Sequence, residues 1–257
     1  MQTVACPRAA RDGLRLRQEP LAIDLYAGLG GWAEGLLAEH YGVVGFDIER
    51  HEYGEHRYPA QLVVQDVLTL DGAQFKDAAL IVASPPCQFF SYTSMPWSRA
   101  KALAAEVRAD PARLEKELAL FNACFRIQRE ASAAAGRHVP MVVENVRGAQ
   151  PWVGRAKWNF GSFYLWGDVP ALMPSSAPGG YKSHGMNWSD RSLRGQDFTR
   201  IAGEQSGIKC GGDWFNALSP SISRQTSSKS PARKFASAMI AKIPPSLARH
   251  IAAMYRP

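Results

Sequence analysis

Short apolar runs alternate with longer stretches of mixed polarity through the first half of the chain. Five of these runs have the length and apolar content of buried strands, and they lie at 21–26, 42–47, 61–65, 79–83 and 139–143. The clearest helix between them is predicted over 112–134, where apolar residues recur at helical spacing and Pro111 stands near the start. Strands separated by helices predict an α/β fold with a parallel sheet and right-handed crossovers.

The pattern changes after about residue 168. From 168 to 232, Gly, Ser, Pro and Trp predominate and the periodicity fades, which predicts a small irregular lobe. Helical spacing returns over 235–255, where IPPSLARHIAAMY has the pattern of an amphipathic helix that starts at proline. We therefore expect a core domain, a lobe and a returning C-terminal helix, over 1–167 (with 1–20 as an N-terminal arm), 168–232 and 233–257.

The composition excludes several classes of protein. Hydrophobic residues make up 46% and charged residues 21%, as in an ordinary globular domain. The longest unbroken apolar runs are too short to cross a bilayer, and the N-terminus has no apolar segment typical of a secretory signal. The four cysteines show no zinc-ligand spacing. We therefore expect a cytoplasmic protein that has reduced thiols, no metal and no membrane partner.

The formal net charge of +7 is unevenly distributed. Residues 181–257 contain 12 Lys and Arg residues but only 4 Asp and Glu residues, so the whole excess lies in the last third of the chain. Such a basic segment favours a polyanionic partner, most simply a nucleic acid. A basic surface that only aids solubility is the alternative, and charge alone does not choose between them.

A glycine-rich segment, DLYAGLGGW at 24–32, follows the start of the first predicted strand. Its glycines permit a tight turn and a close approach of the backbone to a ligand. The spacing matches neither the dinucleotide fingerprint nor the phosphate loop. Asp47 and Asp66 stand at the ends of the next two strands, where they could hold the ribose hydroxyls and the adenine amino group of an adenosine cofactor. A solvated helix cap is the alternative for either acid.

Two further segments place reactive side chains at the same predicted sheet edge. Cys87 in SPPCQFFS follows the strand at 79–83, where a loop-held thiol can become a thiolate nucleophile. Glu144 in ENVRG follows the strand at 139–143, and it would stand beside Cys87 if the two strands are neighbours. A carboxyl group there can act as a general acid toward a ring nitrogen. The alternatives are an inert core thiol, as we expect for Cys124, and a strand-end ion pair.

Taken in order, DLYAGLGG, FDIE, QDV, SPPCQ and ENV resemble the motifs of the cytosine-5 DNA methyltransferase family. The resemblance covers about 21–148 and resumes more weakly at KIPPSLARHIA near the C-terminus. It implies a Rossmann-like, doubly wound, mostly parallel sheet with a small target-recognition lobe, here at 168–232. It also implies S-adenosylmethionine as methyl donor, S-adenosylhomocysteine as product, double-stranded DNA as partner, and a flipped-out cytosine that is methylated at carbon 5. We expect a monomer.

The resemblance also implies roles for individual residues. The nucleophile is Cys87, and Glu144 and Asn145 match the family's Glu-Asn pair, with Glu144 as the acid at the ring nitrogen N3 of the cytosine. Gln88 and Ser91, beside the nucleophile, would contact nucleic acid. The cofactor would lie against the glycine-rich turn and the following strand ends, at Tyr26, Ala27, Gly28, Leu29, Gly30, Gly31, Asp47, Ile48, Asp66, Val67 and Pro86.

The sequence departs from the family in its second half. The Gln-x-Arg-x-Arg motif is absent, and its nearest equivalent is GRAKW, in which Arg155 and Lys157 would hold the cytosine O2; a pair of surface cations is the alternative. Residues 91–110 would form a loop that closes over the flipped base, with Trp97 either filling the gap or packed on the following helix. Phosphate contacts are expected from the basic segment, at Lys182, Arg191, Arg194 and Arg200.

Three functions are compatible with these residues. The first is cytosine-5 methylation of DNA, in the setting of restriction, phage protection or regulation. The second is the same reaction on RNA, which the short lobe does not exclude. The third is a catalytically idle nucleic-acid-binding relative, which the missing arginine motif favours and the intact Cys87, Glu144 and Asn145 oppose.

Overall fold

The structure, a computed structural model, describes residues 19–91, 97–174 and 230–257. Within them, one mixed sheet is formed by the strands β1 (Leu21–Leu25), β2 (Gly42–Asp47), β3 (Gln61–Val64), β4 (Leu80–Ala83), β5 (Met141–Asn145), β6 (Trp158–Phe160) and β7 (Phe163–Gly167). The strand order is β3-β2-β1-β4-β5-β7-β6. The first five strands are parallel, whereas β7 is antiparallel to both β5 and β6. The expectation of an α/β fold with a mostly parallel sheet is confirmed.

Helices cover both faces of this sheet. They are α1 (Gly31–Ala38), α2 (Trp97–Ala109), α3 (Pro111–Ala135), α4 (Gln150–Val153), α5 (Pro231–Ala241) and α6 (Pro245–Tyr255). Single turns of 3-10 helix lie at Val67–Thr69, Gly72–Phe75 and Arg147–Ala149. The long helix α3 begins where the Asp110 carboxylate accepts a hydrogen bond from the Arg113 N–H, and it ends at Gly136, whose φ of 63° is left-handed.

The predicted strands and the predicted long helix are confirmed to within two residues at each end. The one shift that matters is at β5, which extends two residues beyond the predicted 139–143 and so includes Glu144 and Asn145 within the strand. A buried strand can continue through polar residues when their side chains find partners, as the amide of Asn145 does.

One prediction about the connecting segments was wrong. Most of the expected loop at 91–110 is helix α2, because WSRAKALAAEVRA is rich in strong helix formers and has neither Gly nor an internal Pro. Trp97 begins that helix, while Met95 and Pro96 lie outside the described residues. The predicted helix that starts at proline near the C-terminus is confirmed as α6, and a second helix, α5, precedes it. Helix α5 also starts earlier than expected, at Pro231.

One face of the sheet packs on α3. Ile81 of β4 and Met141 of β5 are fully buried there against Ile127 and Ala131 of α3. Each large apolar side chain removed from water in this way contributes about 1.5–3 kcal/mol of transfer free energy. The core of this layer therefore holds the central strands β4 and β5 in fixed register.

The opposite face packs on α1 and α6, which approach each other closely through two glycines. A Cβ atom at Gly35 would lie 2.3 Å from the Cβ of Ala248, and one at Gly31 would lie 2.3 Å from the Ile243 nitrogen. The Lys242 ammonium group also binds the Glu34 carboxylate at 2.6 Å. The C-terminal segment thus packs directly behind the glycine-rich turn.

The expected domain boundaries at 167 and 232 stay a prediction, since 175–229 lie outside the described residues. Across the described helices, none combines the length and the hydropathy needed to span a membrane.

The close contact of α1 with α6 gives a stability prediction. Gly35→Ala places a methyl group into the Ala248 backbone and should lower the free energy of unfolding by about 1–3 kcal/mol, measured by urea denaturation. Gly42→Ala is the matched control, because a Cβ there meets nothing within 4 Å, and it should change that free energy by less than about 1 kcal/mol. Equal effects of the two substitutions would contradict this packing.

Candidate active site at the carboxyl edge of the sheet

The loop that follows β4 is fixed by hydrogen bonds from three other elements. The Trp32 indole N–H of α1 donates to the Ser84 hydroxyl at 2.9 Å, and the Ser84 N–H donates to the Leu25 carbonyl of β1 at 3.2 Å. The Asn145 amide of β5 donates to the Pro85 carbonyl at 2.8 Å. These bonds hold the start of the Ser-Pro-Pro-Cys segment, so the position of Cys87 is set by α1, β1 and β5 together.

Cys87 is half-buried, and its flanking residues Pro86 and Gln88 are exposed. The Phe90 N–H donates to the Cys87 carbonyl at 3.0 Å and closes a turn behind the thiol. Phe90 is buried and anchors that turn in the α3 layer. A thiol presented on such a turn is accessible to a ligand, in contrast to a core cysteine.

Cys124 shows that contrast. It is fully buried in α3, and burial raises the pKa of its thiol far above the ordinary range. The expectation that Cys124 is a core residue is confirmed. Cys6 and Cys210 lie outside the described residues.

The expected neighbourhood of the two strands at 79–83 and 139–143 is confirmed. β4 and β5 pair in parallel, with Ala83 opposite Val143, so the next residue on each strand is Ser84 and Glu144. Glu144 and Asn145 are buried, with 3% and 1% of their surface exposed. The pairing therefore places the strand end of Glu144 beside the loop of Cys87.

The glycine-rich turn lies at the same edge, after β1. Gly28 and Gly30 have left-handed φ values of 51° and 76°, and Tyr26 shares that region with a φ of 60°. The Gly28 N–H donates to the Asp47 carboxylate of β2 at 2.9 Å. A Cβ at Gly28 would have no atom nearer than 4.0 Å, so the turn leaves open space on that side.

Asp47 is the electrostatic centre of this part of the edge. Burial alone would raise the pKa of Asp47, but hydrogen bonds from His51, the Gly28 N–H and the Glu49 N–H outweigh it and hold the pKa below its ordinary value. The same contact with Asp47, at 3.6 Å between the imidazole and carboxylate atoms, raises the pKa of His51. His51 was assigned no role from the sequence, although it stands only four residues after Asp47.

The other predicted cofactor residues differ in exposure. Ile48 is 69% exposed, which leaves an apolar face beside the Asp47 carboxylate. Asp66 is half-buried and its side chain accepts from the Leu68 N–H at 2.9 Å, so it caps the 3-10 turn that follows β3. Val67, Ala27, Leu29, Gly30 and Gly31 are buried. Open space at Gly28, a carboxylate and an exposed apolar side chain together suit a nucleoside.

Two side chains at this edge face the core. The Tyr26 hydroxyl donates to the Leu120 carbonyl of α3 at 2.7 Å, and burial raises its pKa. Asp24 of β1 is 1% exposed, accepts from the Tyr58 hydroxyl at 3.1 Å, and has a pKa raised by burial. Its second oxygen has no partner in the described part of the chain. An acid inside the apolar run LAIDL indicates a buried carboxyl group, but Asp24 was assigned no role from the sequence.

Arg155 and Lys157 line a pocket of about 430 Å³ beyond β7. The side chains around this basic pocket are those of Arg147, Gln150, Arg155, Ala156, Lys157, Trp158, Asn159 and Tyr164. Neither Cys87 nor Glu144 is among them, and the pocket brings the two predicted cations together with Arg147. Arg147 was visible in ENVRG and was not assigned a role.

The remaining predicted contacts fall in two groups. Ser91 is half-buried, and its N–H donates to the Gln88 carbonyl at 3.4 Å. Lys182, Arg191, Arg194 and Arg200 lie outside the described residues. Among the residues with described positions, no cluster of three or more His, Cys, Asp or Glu side chains could hold a metal ion.

The Asp47–His51 pair gives a pH-dependent prediction. The raised pKa of His51 stabilises the fold below the ordinary histidine pKa, and this contribution is lost as pH rises through the folded pKa. The lowered pKa of Asp47 stabilises the fold above the ordinary aspartate pKa, and this is lost as pH falls. The cost of His51→Gln in urea unfolding should therefore be greatest at about pH 5–6, between the two ordinary values. A cost that is constant from about pH 4 to 9 would contradict the pairing.

The Asn145–Pro85 hydrogen bond gives a second prediction. Asn145→Ala leaves the buried Pro85 carbonyl without its donor and should cost about 1–3 kcal/mol in urea unfolding. It should also speed alkylation of Cys87 by iodoacetamide, because the loop loses its tie to β5. Asn122→Ala, at an exposed site on α3, is the control and should change neither quantity appreciably. If both variants label at the wild-type rate, Asn145 does not position the thiol.

Comparison with known proteins connects this geometry to a family. Residues 21–102 match the model of the C-5 cytosine-specific DNA methylase family. No curated protein sequence matches the chain. Solved structures that resemble it are the Dnmt2 methyltransferase of S. pombe (17% identity, TM-score 0.33), a putative DNA modification methyltransferase encoded within an E. coli prophage (22%, 0.31) and the methyltransferase EhMeth of Entamoeba histolytica (17%, 0.33).

These likenesses cover 52%, 51% and 53% of this chain, and 37%, 33% and 41% of the three solved chains. The chain thus spans less than half the length of each solved protein. The matched segment contains the glycine-rich turn, Asp47, Asp66 and Cys87. Residues 21–102, about a third of the chain, are therefore similar to the C-5 cytosine-specific DNA methylase family.

Proposed function

We propose that this chain is a DNA cytosine-5 methyltransferase that bonds transiently to its target base through Cys87. The observation that supports this most is the parallel pairing of β4 with β5, which brings the loop of Cys87 to the strand end of Glu144. Both side chains must reach one pyrimidine ring at the same time, and adjacent strand ends are a geometry that permits it.

We assign the cofactor to the edge formed by the glycine-rich turn, Asp47 and Asp66. The Asp47 carboxylate is ionised at neutral pH and lies against the Gly28 N–H, where it can accept from ribose hydroxyls. Ile48 offers an exposed apolar face for a purine ring. S-adenosylmethionine, when bound, supplies a methyl group activated by its sulfonium charge.

The residues of the chain make the cytosine reactive. The Cys87 thiolate adds to carbon 6 of the ring, and protonation of N3 by Glu144 makes this addition favourable. The adduct has enamine character, so its carbon 5 is nucleophilic enough to accept a methyl group. Loss of the carbon-5 proton to a base then expels Cys87 and restores the aromatic ring. Asn145 acts as a positioning residue, because its amide holds the Pro85 carbonyl rather than the base.

The target base must leave the helix to reach Cys87, because the ring carbons are stacked within a duplex. Unstacking costs a few kcal/mol, which contacts with the backbone and the pocket offset. Gln88 is exposed next to the thiol, which supports a contact with the flipped nucleotide or with the gap it leaves. Residues 181–257 contain 12 basic but only 4 acidic residues, and we propose that this segment binds phosphates.

A mechanism-based trap tests this proposal. DNA that contains 5-fluorocytosine should form a covalent adduct with the protein in the presence of S-adenosylmethionine. Carbon 5 of this base carries fluorine in place of the proton that a base must remove, so Cys87 cannot be expelled. Cys87→Ala should form no adduct, and its methyl transfer to unmodified DNA should fall by at least about three orders of magnitude. The adduct is measured as a shifted band on a denaturing gel and located by mass spectrometry of the tryptic peptides.

Cys124→Ala is the matched control, since it removes a thiol that is buried in the α3 layer, and it should still form the adduct. An adduct with RNA alone would contradict DNA as the substrate. No adduct with either nucleic acid, while binding persists, would identify a catalytically idle relative. Full activity in Cys87→Ala would remove this thiol from the reaction.

A further inference from the structure

We propose that the basic pocket beyond β7 is a phosphate site that holds the backbone of the bound DNA strand, with Arg147 and Arg155 as its main ligands. This inference rests on the proposed function for the identity of the nucleic acid. It assigns a role to Arg147 and gives Arg155 and Lys157 a phosphate ligand in place of the cytosine ring.

The charges of the pocket are unbalanced. Arg147, Arg155 and Lys157 are exposed cations around one concavity of about 430 Å³, and its lining contains no carboxylate. Within the described parts of the chain, none of the three forms an ion pair. Three like charges directed at one space repel each other, and a bound anion reverses the sign of that interaction. Arginine suits a phosphate especially, because its planar fork matches two phosphate oxygens at once.

The loop that presents two of these cations is held in place by backbone and side-chain bonds. The Gln150 side chain accepts from the Ala156 N–H at 3.2 Å, and the Trp166 indole donates to the Gly154 carbonyl at 2.9 Å. The Lys157 N–H donates to the Leu165 carbonyl at 2.8 Å. Gly154 itself has a left-handed φ of 89°, which favours glycine at this bend. The pocket is therefore formed before any ligand arrives, which lowers the entropic cost of binding.

The position of the pocket argues against a contact with the ring that Glu144 protonates. Asn145, Tyr164 and Asn159 lie in one row across β5, β7 and β6, and Tyr164 and Asn159 line the pocket. Glu144 is in register with Leu165, whose side chain packs in the opposite layer of the core. Side chains on successive residues of a strand point to opposite faces, so the wall of the pocket that Tyr164 and Asn159 form lies on the other face of the sheet from Glu144, whereas Trp158 of the lining lies in the row of Glu144 and Leu165.

The same row gives the distance along the sheet. Neighbouring strands are about 4.8 Å apart, so Asn159 lies about 10 Å from Asn145. A DNA strand rises about 3.4 Å per nucleotide, so a few nucleotides span this separation. A phosphate bound in the pocket can therefore belong to the strand whose base lies at Cys87.

The salt dependence of DNA binding tests this site. The double variant Arg147→Gln, Arg155→Gln should reduce the steepness of the slope of log affinity against log salt by about 1. When salt is lowered from 1 M to 0.1 M, the affinity of the variant should therefore rise about tenfold less than that of the wild type. The control is Lys76→Gln, Arg129→Gln, which removes two exposed charges, one at the end of the 3-10 turn Gly72–Phe75 and one on α3, neither of which lines the pocket. This control should keep the wild-type slope.

Each outcome bears on the proposal. A wild-type slope in the pocket variant, or an equal fall in both variants, would overturn the phosphate site. Wild-type protein that binds duplex RNA but not duplex DNA would overturn DNA as its ligand. If the slope depends on the pocket but 5-fluorocytosine traps no adduct, the phosphate site stands and the proposed reaction fails. If the adduct forms but the slope does not depend on the pocket, the proposed reaction stands and the phosphate site fails.

Discussion

The parallel pairing of β4 with β5 is the constraint on which the candidate site depends. It fixes Ser84 opposite Glu144, and the hydrogen bond from Asn145 to the Pro85 carbonyl extends the contact one step beyond the last paired residue. Pro85 and Pro86 restrict the backbone just before Cys87, so this hydrogen bond and the two bonds of Ser84 determine where Cys87 lies. The loop that carries the thiol is thus tied directly to the strand that carries the carboxyl group.

Asp47 unites the cofactor edge in a similar way. Its carboxylate accepts a hydrogen bond from the backbone of the glycine-rich turn and lies 3.6 Å from the imidazole of His51, so the turn after β1 is tied to β2 by a side chain as well as by the strand ladder. The group that is proposed to receive the ribose therefore also shapes the turn against which the ribose would lie. Neutralising it would alter both at once.

Much of this arrangement was predictable from the sequence. Apolar runs identified β1 to β5, and the ordered motifs identified the edge at which Asp47, Cys87 and Glu144 lie. Helix α2 was not predicted, because the motif-based expectation of a loop was given more weight than the helix propensity of Trp97–Ala109. The basic pocket was not predictable either, because Arg147 and Arg155 converge only through the antiparallel return of β7 and β6 beside β5. Contacts of that kind depend on tertiary packing, which has no local pattern.

Two glycines of α1 allow close contact between segments that are far apart in the sequence. Gly31 and Gly35 leave no room for a side chain against Ile243 and Ala248. Helix α1 therefore has its full packing only when a segment more than two hundred residues later in the sequence has docked on it. Such a contact has a high loop-closure entropy and is expected to form late. During synthesis on the ribosome, α1 would therefore lack this packing until α6 has emerged. The glycine-rich turn that is proposed to hold the cofactor then gains these packing contacts only after α6 has been made.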